Sequence, residues 1–183
     1  MTPLRRRRMA VAALLPAAAL LAALAGCAPF PALPDEVAYP AGGVPSDVAW
    51  PSDWLEGFTS ESDAVGGEIV GMRLEYVDDV WFWRIRSHDP GRDVFDEAVT
   101  EPDRGREALV DAATLELVVQ RHVTLTEAEM AESGVSAYDA AQRSGEEWPA
   151  PRLIELERRM ADGHAVWDVT VSDEGGITML TVE

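Results

Sequence analysis

The chain has 183 residues, enough for one ordinary domain or two small ones. Hydrophobic residues make up 47 % and charged residues 26 %, the balance of a folded globular protein rather than a disordered tail. Asp and Glu number 33 against 15 cations, all of them arginine, and a net charge of -18 excludes a nucleic-acid partner, whose phosphates such a field repels.

The N-terminus places Arg5 to Arg8 before an apolar run from Met9 to Ala25, with Leu24-Ala25-Gly26-Cys27 closing it. A basic head, an apolar core and small residues before a cut site form a secretory signal, here residues 1–26. The run is rich in alanine and interrupted by Pro16, which disfavours a spanning anchor of about 20 strongly apolar residues. Leu24-Ala25-Gly26-Cys27 resembles the bacterial lipobox. That resemblance implies cleavage before Cys27, acylation of its thiol and amine, and attachment to the extracytoplasmic face of a bacterial membrane. Cys27 is the chain's one cysteine, so no intramolecular disulfide and no multi-cysteine zinc site is available. The alternative is an ordinary cleaved signal followed by a chance cysteine.

Residues 27–51 hold Pro29, Pro31, Pro34, Pro40, Pro45 and Pro51, with Gly42-Gly43 between them. Such a segment favours extended, polyproline-like conformations, and reads as a flexible tether ahead of a folded part that starts near Asp47 to Trp54. The remainder reads as two copies of one pattern, residues 52–125 and 126–183. In the first, Trp54 to Ala64 is a poor helix candidate. Glu68 to Tyr76 and Val80 to Arg86 form a hairpin across Asp78-Asp79, and Arg106 to Ala112 gives a third strand. In the second, Thr126 to Ser144 reads as helix interrupted at Gly134, with a capping box at Thr126 and Glu129 and a restart capped by Ser136. Pro151 to Arg158 and Ala165 to Val171 flank the turn Asp162-Gly163, and Ile177 to Val182 closes the copy. Trp83 falls where Trp167 falls, and Ile85 where Val169 does.

These segments resemble the PepSY family, whose units pair a short helix with a small antiparallel sheet. The second copy carries it through Ser136-Ala137-Tyr138-Asp139-Ala140-Ala141, Ile154-Glu155-Leu156-Glu157 and Val166-Trp167-Asp168-Val169. The first does so through Met72-Arg73-Leu74-Glu75, Trp83-Arg84-Ile85 and Val110-Asp111-Ala112-Ala113-Thr114. Leu115 stands where the family usually has glycine, and the stretch from Asp89 to Arg104 is extra. The resemblance implies an α+β fold of two small antiparallel sheets, each with a helix on one face, behind a signal peptide and tether. It also implies a binding or inhibitory module outside the cytoplasm, a peptidase in the envelope or medium being one possible partner.

Catalytic chemistry is not advertised. His88, His122 and His164 form no zinc-binding spacing, and neither a nucleophile elbow nor a phosphate-cradling loop is present. No cofactor is implied. Asp89, Asp93, Asp96 and Glu97 are the candidate cation ligands, without the loop spacing calcium sites use. Trp81, Phe82 and Trp83 are the candidate partner-binding surface, since adjacent strand residues point to opposite faces and at least one ring must leave the core. The expected function is a non-enzymatic envelope lipoprotein that binds a protein. The alternative is a structural or divalent-cation-binding envelope module with an acidic surface.

Overall fold

Two tight turns organise the chain. Asp78 and Asp79 hold positive φ values of 51° and 64°, as do Asp162 and Gly163 at 50° and 86°. Positive φ at both central residues is the signature of the type I′ hairpin, whose twist matches that of the strands it joins. The computed structural model, which describes residues 30–32, 39–40, 42–61, 65–88, 101–174 and 176–183, builds outward from these two hairpins. The fold lies in the unit Ala32–Glu183, and Met1–Pro31 forms a separate unit. Cys27 and the acidic residues Asp89, Asp93, Asp96 and Glu97 lie outside the described residues.

The elements are α1 (Pro51–Glu61), β1 (Glu68–Val77), β2 (Val80–His88), β3 (Arg104–Asp111), β4 (Leu117–Thr124), α2 (Glu127–Met130), α3 (Ala137–Arg143), β5 (Arg152–Ala161), β6 (His164–Asp173) and β7 (Gly176–Val182). The strands form one sheet in the order β4-β3-β2-β1-β5-β6-β7, antiparallel throughout. The expected pair of small sheets, each with its own helix, is therefore incorrect. β1 and β5 pair at Gly71, Met72 and Arg73 against Glu157, Leu156 and Glu155, and this short ladder fuses both halves into a mostly β structure.

The repeat itself survives in the register. One constant offset in sequence relates Met72 to Leu156, Ile85 to Val169 and Trp83 to Trp167. The same offset carries the β1 bulge between Ile69 and Gly71 onto the β5 bulge between Leu153 and Glu155. Met72 and Leu156 face each other at the centre of the joining ladder.

One face of the sheet carries the core. Met72, Leu74, Trp83, Ile85 and Val110 from one half meet Leu156, Trp167, Val169 and Val171 from the other. Trp54 and Leu55 of α1 and Ala137, Ala140 and Ala141 of α3 close over them, with the Trp54 and Trp83 rings 5.9 Å apart. Burying each large apolar side chain contributes about 1.5–3 kcal/mol relative to exposure. α1 begins at Pro51, earlier than the expected Trp54, because proline suits the first helical turn where its missing N–H costs nothing. The helix expected over 126–144 with a break at Gly134 is two short helices, α2 and α3. Thr126 makes the capping box with Glu129, and Ser136 accepts from the Asp139 N–H at 3.0 Å.

The packed body begins earlier than the expected start near Asp47 to Trp54. Val48 is buried, Ala49 donates to the Ala112 carbonyl at 2.7 Å, and Tyr39 donates to the Leu74 carbonyl at 2.9 Å. Arg152 reaches the Pro45 and Val48 carbonyls and stacks over Trp50 at 4.2 Å, so a cation from β5 fixes a proline-bearing segment. β4, absent from the sequence reading, forms the outer strand beyond β3 and is mostly exposed.

Gly105 in β3 is required by close approach. A Cβ there would overlap the Leu125 side chain and lie 2.9 Å from the Ser87 carbonyl oxygen. Gly105→Ala is expected to cost about 1–3 kcal/mol through this overpacking, read as a lowered midpoint in urea.

Candidate functional site

Trp81, Phe82 and Trp83 divide between the two faces of the sheet, as the strand alternation expects. Trp83 is fully buried and belongs to the core, because it lies in phase with Leu74 and Val110 on the helix-covered face. Trp81 is half-buried, packed 5.1 Å from the Tyr39 ring and 4.8 Å from the Tyr76 ring. Phe82, on the opposite face between Glu75 and Asp111, is half-buried as well.

Exposed apolar surface instead gathers on the sheet's outer strands. β4 mixes Leu117 and Val118 with Arg121 and His122; Arg121 donates to Glu107 at 2.7 Å and Arg104 approaches His122 at 3.0 Å. β7 reads Gly-Ile-Thr-Met-Leu-Thr-Val, with no charge and no proline, and leaves Ile177 and Met179 58 % and 68 % exposed. Outer strands carry unpaired backbone groups and are usually blunted by charge, proline or a bulge. β4 has that protection and β7 does not.

The face away from the core is charged. Cross-strand register aligns Leu109, Arg84, Arg73, Glu155 and Thr170 in one row, and Arg121, Glu107, Arg86, Gly71, Glu157 and Asp168 in the next. Arg84 holds Glu75 with two bonds, Nε at 2.6 Å and Nη2 at 3.0 Å, and lies 3.5 Å from Glu107. All three are buried. Arg86 holds Glu129 with two bonds and Glu107 at 3.4 Å. Burial pushes the Glu129 carboxyl up, but Arg86 and the Thr126 N–H outweigh it and hold Glu129 below its ordinary value. At the next strand junction, burial raises Glu155 above its ordinary value, with Arg73 offsetting part of the shift. A cavity of about 320 Å³ opens over Gly71, among Arg73, Arg86, Glu155 and Glu157.

Sequence reading missed this array because its members occupy the polar phase of strands, where a solvated face is the ordinary outcome. The signal was the complementarity of Arg73, Arg84 and Arg86 with Glu75, Glu107 and Glu155 across strands that pair. Among the described residues no group of three or more His, Cys, Asp or Glu side chains converges on a point where a metal could sit. His88 contacts the Pro102 carbonyl at 3.1 Å, His122 contacts Arg104, and His164 is exposed at the head of β6. Among the described residues no helix is long and apolar enough to cross a membrane.

No protein-family profile and no curated protein matches the chain. A solved structure from Clostridium difficile 630, described as that of a putative lipoprotein, is similar over 63 % of this chain and 81 % of its own, at 12 % identity and a TM-score of 0.34.

Proposed function

We propose that the chain is a membrane-tethered, non-enzymatic module of the bacterial cell envelope that binds a protein partner by accepting an extended segment along β7. The observation that carries this reading is the open, uncharged edge of that strand, with Ile177 and Met179 exposed on it. An added strand gains main-chain hydrogen bonds from the edge and specificity from alternate side chains. Asp173, Glu174 and Glu183 flank β7, so the complementary segment is apolar in its middle and basic at its ends. A second copy of this chain, equally acidic, is repelled. The leader and the Leu24-Ala25-Gly26-Cys27 run supply the address, and restraint of a peptidase, as PepSY-like units imply, is one form such binding takes.

The test places a photoreactive phenylalanine analogue at Met179 of the full-length protein in intact cells, with the same analogue at His164 as control. A discrete adduct with one envelope protein from Met179 alone is expected, weakened about tenfold by Ile177→Asp, which sets a charge in the apolar edge. Equal adducts from both positions, or none from Met179, would overturn the reading. In the same cells Cys27→Ala is expected to move the chain out of the membrane fraction.

A further inference from the structure

The charged face contains one ion pair unlike its neighbours. Arg84 and Arg86 are each bound in two-pronged fashion to a carboxylate. Arg73 sits directly across from Arg84 on the same face, a like-charge opposition that is unfavourable unless each guanidinium finds its own anion. Arg73 has only Glu155, at 3.8 Å, beyond hydrogen-bond range, and among the described residues its buried Nε has no hydrogen-bond partner. Glu155 in turn accepts only a long 3.5 Å contact from Thr170. Both side chains are largely withdrawn from water, 14 % and 24 % exposed, so each bears a desolvation cost that their loose pairing does not offset.

The empty space beside this pair has a specific origin. In the adjoining row Gly71 stands between Arg86 and Glu157, and the missing side chain leaves the floor of the cavity bare. Neither backbone nor packing demands glycine there. Its φ lies outside the left-handed region, and a Cβ would meet its nearest neighbours, the Leu156 carbonyl oxygen and the Arg86 Cβ, at ordinary distances of 3.7 and 3.8 Å. A glycine inside a central strand gives up side-chain packing and often marks a place where another group approaches closely. Carboxylates and guanidiniums line the cavity on both sides, but Arg84 and Arg86 are held by Glu75, Glu107 and Glu129, and Arg158 by Glu68, which leaves Arg73 on β1 facing Glu155 and Glu157 on β5.

We infer that the cavity over Gly71 is a binding site for a small zwitterion, an amino acid or dipeptide, whose carboxylate pairs with the Arg73 guanidinium and whose ammonium lies against Glu155 and Glu157. The volume of about 320 Å³ falls at the lower end of small-molecule sites, roughly 300–1,000 Å³. The ligand supplies counter-charges to Arg73 and Glu155, which pair only loosely with each other, and Arg84 and Arg86 keep their own partners. This site is independent of the β7 edge and stands or falls separately from it.

The test is isothermal titration of the purified full-length protein with L-alanyl-L-alanine, with free alanine, and with the dipeptide capped as its N-acetyl or its C-terminal amide form. Saturable binding of the dipeptide is expected, weakened at least about tenfold by either cap, by Arg73→Gln, and by Gly71→Leu, which fills the floor. Alanine binding as well as the dipeptide identifies a free amino acid as ligand, and dipeptide binding alone identifies a peptide. No saturable binding of either, equal binding of the capped forms, or undiminished binding by Arg73→Gln would overturn the inference, and the last holds even if Gly71→Leu fails to fold.

Discussion

Glu75→Gln is expected to destabilise the protein by about 3 kcal/mol, one of the two largest single-residue effects the structure implies. The Glu75 and Arg84 side chains are 1 % and 3 % exposed and share two hydrogen bonds, so the substitution leaves a guanidinium buried without its closest counter-charge. Glu107, 3.5 Å from Arg84, retains part of the compensation and keeps the loss from rising further. The pair itself is not the source of the stability. Replacing both partners together, Glu75→Leu with Arg84→Met, removes two desolvation costs along with one attraction and is expected to come within about 1 kcal/mol of the wild type. Urea titration of the single and double variants separates the cases, and a single-variant cost below about 1 kcal/mol would show that water reaches the network freely.

The second large effect contrasts the two matched tryptophans. Trp83 and Trp167 are both completely buried, and truncation of either to alanine is expected to cost about 3–5 kcal/mol by lost burial and a residual cavity. Phenylalanine separates them. The Trp167 indole N–H donates to the Val135 carbonyl at 2.8 Å, and its ring lies 4.9 Å under the Arg158 guanidinium. The Trp83 N–H has no hydrogen-bond partner among the described residues. Trp167→Phe removes one of two hydrogen bonds to the Val135 carbonyl, which keeps the Ser133 hydroxyl at 2.8 Å, and is expected to cost about 1 kcal/mol more than Trp83→Phe, which removes an unsatisfied donor. Equal costs for the two phenylalanine variants would mean that the Val135 bond contributes nothing net.

The hairpins were legible in the sequence because their signals are local. Asp78-Asp79 and Asp162-Gly163 are turn dipeptides, and Trp83-Arg84-Ile85-Arg86 and Trp167-Asp168-Val169 alternate at the strand period. The caps at Thr126 and Ser136 were legible for the same reason. The joining of the halves was not, since nothing in the residues Gly71 to Arg73 says that Glu155 to Glu157 lie alongside them. β4 escaped because an outer strand exposed along most of its length has no buried phase to display. The charged cavity depends on that same joining: Arg73 and Glu155 become neighbours only once β1 and β5 pair. Strand alternation set Phe82 opposite Trp81 and Trp83, and packing claimed Trp83 for the core.

The three-residue ladder between β1 and β5 has a geometric consequence. Met72 and Leu156 occupy equivalent places in the repeat and face each other, so a pseudo-twofold axis passes between them. Two identical units meeting about such an axis must present the same residue pair on either side of it. Here one side sets Arg73 against Glu155 and the other sets Gly71 against Glu157. Covalent linkage of the halves frees each from copying the other. The axis, the one place where a symmetric dimer would be forced to build two half-sites or none, can then hold a single asymmetric polar recess, with Arg73 on one strand and Glu155 and Glu157 on the other.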